Sequence, residues 1–415
     1  MPIKEAILLA GGLGTRLKQI VPDLPKTMAP VAGQPFLKYV IRYFLSQGIE
    51  KFIFSLGHKH EIIEEFLKNE FPYLHYELSI EQEALGTGGA VQLACRRASQ
   101  ANIVIINGDT IFKADIHEAV LFHDEKNAEC TLLLKPMLNF DRYGVVELDD
   151  EYTVSNFKEK QFFQSGDINA GVYILNVEHF LDKGLPEKFS FEKDYLEKFY
   201  PERKIFGMIQ DEYFIDIGIP QDYQRAQKEL KQIPLRTANI HPGWTLFLDR
   251  DGVINYEKEN SYILNWDEFE FYPGVTKAIS LLSKKFNRII VVSNQRGVSR
   301  GLMTEKDLLD IQRRMKSRIE EEGGRIDKIY YCTAGEGTHF YRKPNPGMAL
   351  QAAKDFPSID LSKAIMVGNK PSDMQFGRNA GTYTVYLKTT HPELPLPHPD
   401  IDLAFDSLMD FAKAL

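Results

Sequence analysis

Cysteine is scarce in this chain. Three residues, Cys95, Cys130 and Cys332, lie far apart in 415 positions, so the sequence offers neither a disulfide framework nor a four-cysteine metal site. A reducing, cytoplasmic setting is the expectation. Positive charge is not in excess either: 50 Lys and Arg stand against 58 Asp and Glu, a formal net charge of -8. Without a basic patch or tail the chain is not expected to bind nucleic acid or a membrane surface, and anionic substrates must be held by local devices. No apolar run approaches the roughly 20 residues of a membrane span, and the N-terminus lacks the charged-then-apolar pattern of a secretory signal. Internal repeats and low-complexity tracts are missing as well.

What is present is ordinary globular composition and a length that favours two domains, each able to bury a core. Short apolar runs alternate with amphipathic stretches, the pattern of an α/β fold with a mainly parallel sheet. The expected strands of the first half are 6–9, 51–55, 75–79, 102–106, 130–135 and 171–175, closed by a helix over 223–230. Gln232 to Gly243 carries Pro234, Pro242 and Gly243 without a clear period and reads as a linker. The alternation then restarts, with strands over 245–248, 288–293, 328–332 and 364–367 and helices over 275–284, 305–322 and 347–356. The expected domains are 1–235 and 244–415, with the boundary near residue 240.

Each half opens on a strand followed by a chemically loaded loop. The first reads Leu9-Ala-Gly11-Gly12-Leu-Gly14-Thr15-Arg16-Leu17. Glycines between a strand and a helix let main-chain N–H groups approach a phosphate chain, although the spacing is neither G-x-G-x-x-G nor a P-loop. Taken alone, the loop is as compatible with a tight turn as with phosphate binding. The second reads Leu246-Phe-Leu-Asp249-Arg250-Asp251-Gly-Val-Ile-Asn255, with carboxylates two positions apart after an apolar strand. Such a pair suits a two-step phosphatase, in which one carboxylate attacks phosphorus and the other protonates the leaving oxygen. By itself Asp-x-Asp is also a frequent coincidence.

Company decides both cases. Arg16, Pro25-Lys26, Leu85-Gly86-Thr-Gly-Gly-Ala90, Asn107-Gly-Asp109 and Asp216-Ile-Gly218 together resemble the sugar-phosphate nucleotidyltransferases, nearly to residue 230. The resemblance implies a Rossmann-like α/β/α sandwich in which Gly11, Gly12, Gly14, Thr15 and Arg16 hold a nucleoside triphosphate and Lys26 neutralises charge near its α-phosphate. It implies that Asp109 and Asp216 hold Mg²⁺ and that Gln82 and Gly86, within Glu81 to Gly88, adjoin the base. The sugar phosphate would meet Tyr143, Gly144, Glu159, Lys160 and Asn169, although Gln161 stands where a proline usually follows the Glu-Lys pair. The segments Asp23-Leu-Pro-Lys26, Phe191-Glu-Lys-Asp194 and Phe214-Ile-Asp216-Ile-Gly-Ile-Pro220 are most similar to the D-glycero-D-manno-heptose 1-phosphate guanylyltransferases, which implies GTP.

In the second half, Asp249-x-Asp251, Ser293-Asn-Gln295, Arg342-Lys343-Pro344 and Gly368-Asn369-Lys-Pro-Ser-Asp373 resemble the haloacid dehalogenase-like phosphatases, and most of all those acting on heptose 1,7-bisphosphate and histidinol phosphate. The resemblance implies a capless haloacid dehalogenase-like α/β domain, with Tyr256 to Phe271 as a small flap. Asp249 takes the nucleophile position, Asp251 the general acid, and Ser293 and Lys343 the phosphate-holding positions. Asp249, Asp251, Asn369 and Asp373 occupy the Mg²⁺ motif, and Arg300 and Arg342 match positions facing the rest of the substrate. Many relatives carry a zinc loop before the lysine motif, but only Cys332 and His339 stand between Cys332 and Arg342, so no zinc is expected. Asn369 replaces a usual aspartate. The combined expectation is a bifunctional enzyme making GDP-heptose from heptose phosphates and GTP, compatible with a homo-oligomer. The alternatives are another sugar and nucleotide, or a phosphatase unit reduced to a binding or regulatory module.

Overall fold

Ala6, Ile7 and Leu8 are fully buried, and a run apolar on both faces suits an interior strand covered by helices on each side. That strand, β1 (Glu5–Leu9), lies in a sheet whose other members are β2 (Lys51–Leu56), β3 (His75–Ile80), β4 (Asn102–Asn107), β5 (Cys130–Phe140), β6 (Val145–Leu148), β7 (Val154–Lys158), β8 (Phe163–Asn176) and β9 (Ile205–Ile209). The computed structural model describes residues 3–12, 21–231, 234–258, 261–335 and 339–415. It divides into two compact units, Met1–Gln232 and Ile233–Leu415.

In the first unit the sheet order is β7-β6-β8-β4-β1-β2-β3, with β5 paired to β8 and β9. β1 pairs in parallel with β2 and β4, and Leu9 aligns with both Ser55 and Asn107. The residues that follow these strands, Gly11 and Asp109 among them, therefore leave the sheet at one carboxyl edge, where open α/β sheets bind ligands. The sheet is mixed rather than mainly parallel. β8 runs antiparallel to β4, β5 and β6, and only the apolar end of this 14-residue strand is visible in the sequence pattern. A small antiparallel pair, Thr110–Phe112 with Phe214–Asp216, brings Asp216 opposite Thr110. The closing helix is Pro220–Glu229, begun by a proline in its first turn, where the missing N–H costs nothing.

The second unit is a six-stranded sheet, in order β12 (Lys328–Cys332), β11 (Arg288–Asn294), β10 (Thr245–Leu248), β13 (Ala364–Gly368), β14 (Tyr383–Leu387) and β15 (Leu403–Phe405). Every pairing is parallel. Leu248 aligns with Val291 and Val367, so Asp249, Ser293 and Asn369 all emerge at the carboxyl edge. Leu235 is buried in this unit's core and Ile240 packs against it, so the segment read as linker contributes to the second unit. Between Asn255 and the helix Val275–Ser283, the described residues form one short turn, Trp266–Glu268, rather than a cap domain.

Candidate active sites

The first site is assembled where β1 and β4 end. A Cβ on Gly11 would stand 3.0 Å from the Gly57 nitrogen, and one on Gly108 would stand 2.7 Å from the Leu9 carbonyl. Both glycines therefore let neighbouring main chains close up. A Cβ on Gly12 would meet nothing. Gly14, Thr15 and Arg16 lie outside the described residues. Lys26 begins the short turn Lys26–Met28, and its Nζ pairs with Asp109 Oδ2 and lies 3.6 Å from Asp216 Oδ1. One ammonium thus faces two carboxylates. Burial first, and then the charge of Asp109, push the Asp216 carboxyl above its ordinary range. Lys26, the Gly218 N–H at 2.6 Å and the Tyr143 hydroxyl at 3.4 Å act in the other direction. A Cβ on Gly218 would stand 2.8 Å from both Asp216 Oδ1 and Lys26 Nζ, so a larger residue in this turn would displace the charged ends of the cluster.

Beside this cluster is a cavity of 440 Å³ that Asp109, Asp216, Tyr143, Gly144, Glu159, Lys160 and Asn169 all line. Its size suits a small ligand. Asn169 donates to the Tyr173 hydroxyl at 2.8 Å and accepts from the Gly171 N–H at 3.1 Å, which fixes its amide. Glu197 and Lys158 also line this wall, and no sequence motif marks them. Glu197 titrates above its ordinary range through burial and the charge of Glu159. Gln82 is exposed. Gly86 has φ +75, and a Cβ there would stand 2.5 Å from the Phe189 carbonyl. Gly88 donates to the same carbonyl at 3.0 Å, so the glycine-rich helix start is needed for packing against the Phe189 segment.

The second site is buried. Lys343 Nζ lies 2.8 Å from Asp249 Oδ1 and 2.7 Å from Asp373 Oδ1, and the three side chains are 2%, 9% and 1% exposed. Burial, and then the charge of Asp373, push the Asp249 carboxyl up, while Lys343 pulls it down. The lysine is held in place from behind: Asn294 donates to the Lys343 carbonyl at 3.1 Å and accepts its N–H at 3.0 Å. Ser293 Oγ accepts from Gln295 at 2.8 Å.

Asp251 is committed more heavily than its sequence position suggests. Arg250 donates to both its oxygens from Nη2 at 2.9 Å, Asn255 donates to Oδ1 at 2.9 Å and Gln295 to Oδ2 at 2.9 Å. Burial acts to raise its pKa, but the Arg250 charge and these bonds outweigh it, and the carboxyl lies below its ordinary range. Arg250 is itself buried and escaped the sequence reading, since a charged residue after a strand is usually solvated. Asn369 is fully buried beside Asp373, whose Oδ2 accepts its main-chain N–H at 3.2 Å. Arg342 donates to the Ala334 carbonyl at 3.1 Å, and Arg300 is exposed and lies over the Tyr262 ring.

Metal fit rests on these donor sets. Among the described residues no group of three or more His, Cys, Asp or Glu side chains is arranged to hold a metal ion. Each site nevertheless presents two carboxylates to a single lysine, and the second adds a buried amide oxygen, Asn369 Oδ1, with no hydrogen-bond partner among the described residues. Hard oxygens with a deficit of positive charge fit Mg²⁺. Cys332 Sγ lies 3.7 Å from His339 Nδ1, and residues 336–338 between them lie outside the described residues.

Fold and sites together define a nucleotidyltransferase unit followed by a haloacid dehalogenase-like phosphatase unit. Residues 5–233 match the Nucleotidyl transferase family model and residues 245–405 the Polynucleotide kinase 3 phosphatase model. The chain belongs to the nucleotidyl transferase family through its first unit and to the phosphatase family through its second. It is 50% identical over 227 residues to the D-glycero-alpha-D-manno-heptose 1-phosphate guanylyltransferase of Aneurinibacillus thermoaerophilus, covering 55% of this chain and 98% of that protein. The second unit is 34% identical over 173 residues to the D-glycero-alpha-D-manno-heptose-1,7-bisphosphate 7-phosphatase of Mycobacterium bovis, covering 41% of this chain and 91% of that protein. The crystal structure of HddC from Yersinia pseudotuberculosis matches with a TM-score of 0.51 and 35% identity, over 55% of this chain and all of that one. No helix among the described residues is long and apolar enough to cross a membrane.

Proposed function

We propose that the chain carries out two steps of sugar-nucleotide synthesis. The second unit removes the C7 phosphate of D-glycero-D-manno-heptose 1,7-bisphosphate, and the first transfers GMP from GTP to the resulting heptose 1-phosphate, releasing pyrophosphate. The observation that carries this reading is the joining, in one polypeptide, of near-complete relatives of a heptose 1-phosphate guanylyltransferase and a heptose bisphosphate phosphatase. The product of one is the substrate of the other.

In the first unit, the cavity beside Asp109 and Asp216 takes the sugar phosphate, with Tyr143, Gly144, Glu159, Lys160 and Asn169 as its walls. Gly11, Gly12, Gly14, Thr15 and Arg16 take the triphosphate, and Gln82 and Gly86 adjoin the base. A homologous HddC structure is complexed with GMP-PN, at 34% identity and a TM-score of 0.50, which supports a guanine nucleotide. Lys26 stabilises charge that builds on the α-phosphate, and catalysis is positioning plus neutralisation without a covalent enzyme intermediate.

In the second unit, Asp249 attacks phosphorus and Asp251 delivers the proton to the leaving sugar oxygen, a role that needs Asp251 protonated or freed from Arg250. Ser293 and Lys343 hold the phosphate, and Arg300 and Arg342 meet the rest of the substrate. Mg²⁺ would be held by Asp109 and Asp216 in one unit, and by Asp249, the Asp251 main-chain carbonyl, Asn369 and Asp373 in the other, where it supplies charge neutralisation between anions. The test is incubation of the full chain with heptose 1,7-bisphosphate, GTP and Mg²⁺, with phosphate, pyrophosphate and the nucleotide sugar measured separately. Pyrophosphate release with heptose 1-phosphate but no phosphate release from the bisphosphate would instead make the second unit a binding module.

A further inference from the structure

Glu257 stands in the segment that follows the Asp-x-Asp motif, 112 positions from Asn369 in sequence. The two side chains meet. Asn369 Nδ2 donates to Glu257 Oε1 at 3.2 Å and to Thr390 Oγ1 at 2.8 Å. Its Oδ1 is buried and has no hydrogen-bond partner among the described residues. A carboxylate can only accept, so Glu257 fixes which end of the amide it faces: nitrogen toward Glu257, oxygen away from it. Lys370 pins the other Glu257 oxygen at 2.5 Å. Gly252, at φ +87, has no room for a Cβ because the Asn369 amide fills that space, so the amide is confined on this side as well. The unpartnered oxygen belongs to a residue that shares Asp373 through a main-chain hydrogen bond, and Asp373 shares Lys343 with Asp249.

We propose that Glu257 is a positioning residue for the divalent cation of the phosphatase site. By accepting from the Asn369 amide nitrogen, it presents the neutral amide oxygen to the cation. This rests on the phosphatase reading above. An interior oxygen left without a donor is costly, and an amide oxygen is a ligand that Mg²⁺ takes. A partner acting through a ligand in this way commonly changes metal affinity by 10- to 100-fold when removed.

The proposal makes the effect of Glu257 depend on which residue stands at 369. In the native background, Glu257→Gln removes the acceptor-only group, lets the amide turn over, and should weaken cation binding on the order of 10-fold. With Asn369→Asp already in place there is no amide to orient, and Glu257 adds only its negative charge near the cation. There the same Glu257→Gln change should cost clearly less, only the loss of that attraction. The experiment titrates Mn²⁺, followed by its free electron paramagnetic resonance signal, into the full chain carrying Asp109→Asn and Asp216→Asn, which removes the carboxylate pair of the first unit. The four combinations at 257 and 369 are compared, and the Mg²⁺ needed for half-maximal phosphate release is measured in chains with an intact first unit. A loss in both readouts that is several-fold larger with native Asn369 than with Asn369→Asp supports the proposal. Equal weakening in both backgrounds would mean that Glu257 acts only through its charge, and no effect in either would mean that it does not act on the cation; each overturns the proposal. If the chain with native residues at 257 and 369 binds no Mn²⁺ and releases no phosphate, the phosphatase reading itself fails.

Discussion

Replacing Lys343 with methionine probes the centre of the second site. Its ammonium lies 2.8 Å from Asp249 and 2.7 Å from Asp373, and the lysine side chain is 2% exposed. Lys343→Met keeps the length and apolar stem but leaves two carboxylates facing each other out of water. Breaking a buried ion pair from one side typically costs about 3–5 kcal/mol. The chain can lower that cost by protonating one carboxyl, which fixes the pH dependence. Asp249 is already raised by burial and by Asp373, and loss of Lys343 raises it further. A carboxyl raised on folding binds its proton more tightly in the folded than in the unfolded chain, so its stabilising effect is present at low pH and is lost as pH rises through the folded value. The cost of Lys343→Met should therefore be greatest at pH 8 and shrink by about 1.4 kcal/mol for each pH unit below the raised value. Urea unfolding at pH 5 and pH 8, followed by hydrogen exchange in peptides from 245–294, measures this. Equal destabilisation at both pH values, or less than about 1 kcal/mol at pH 8, would refute the account of Lys343 as the counter-charge. Phosphate release should be lost while pyrophosphate release persists.

Asp249→Asn should abolish phosphate release and leave pyrophosphate release from heptose 1-phosphate and GTP, and Asp109→Ala should do the reverse; a folded variant losing both activities would contradict two separate sites. Lys26→Ala should lower turnover by a factor on the order of 10² with little change in substrate requirement, as expected of a contact used mainly in the transition state. Steady-state kinetics showing near-normal turnover would make Lys26 a ground-state binding residue. His123, buried beside the Thr131 hydroxyl at 2.8 Å, is pushed down to about 4 by burial. The unfolded chain therefore binds more protons below about pH 6.5, and up to about 3 kcal/mol of first-unit stability should be lost as pH falls from 6.5 to 4. Urea midpoints across that window should show the slope, and His123→Gln should flatten it.

The strands that carry the chemistry were legible because they are short, largely apolar and parallel. Thr245–Leu248 and Lys328–Cys332 coincide with the expected spans, and a parallel register then brings the loops after them to one edge. The antiparallel arm was not legible. In Phe163–Asn176 the first five residues are half-buried or exposed and read as loop, since the partner that pairs them is distant in sequence. The same limit applies to Arg250 and Glu257. Their surroundings come from residues far along the chain or from burial that local composition does not signal, whereas Asp249, Lys343 and Asp373 sit in short motifs that announce them. The Leu85 to Ala90 run shows the converse: its glycines drew notice as a binding loop, while the structure also requires them for packing against Phe189.

Both sites are built on one electrostatic plan, an ammonium facing two carboxylates, at different depths. Lys26, Asp109 and Asp216 are 16%, 34% and 28% exposed, against 2%, 9% and 1% for Lys343, Asp249 and Asp373. In the shallower site water screens the pair, and the lysine can turn toward a phosphate chain at little cost. In the deeper one the same separation of charge would leave carboxylates uncompensated in a medium of low polarity, so Lys343 cannot withdraw to solvent and must serve any phosphate from within the cluster. The difference suits the two reactions. A nucleoside triphosphate brings its charge in an extended chain and needs an open approach, whereas a carboxylate that attacks a phosphate monoester works best where water is excluded and each charge has a fixed partner.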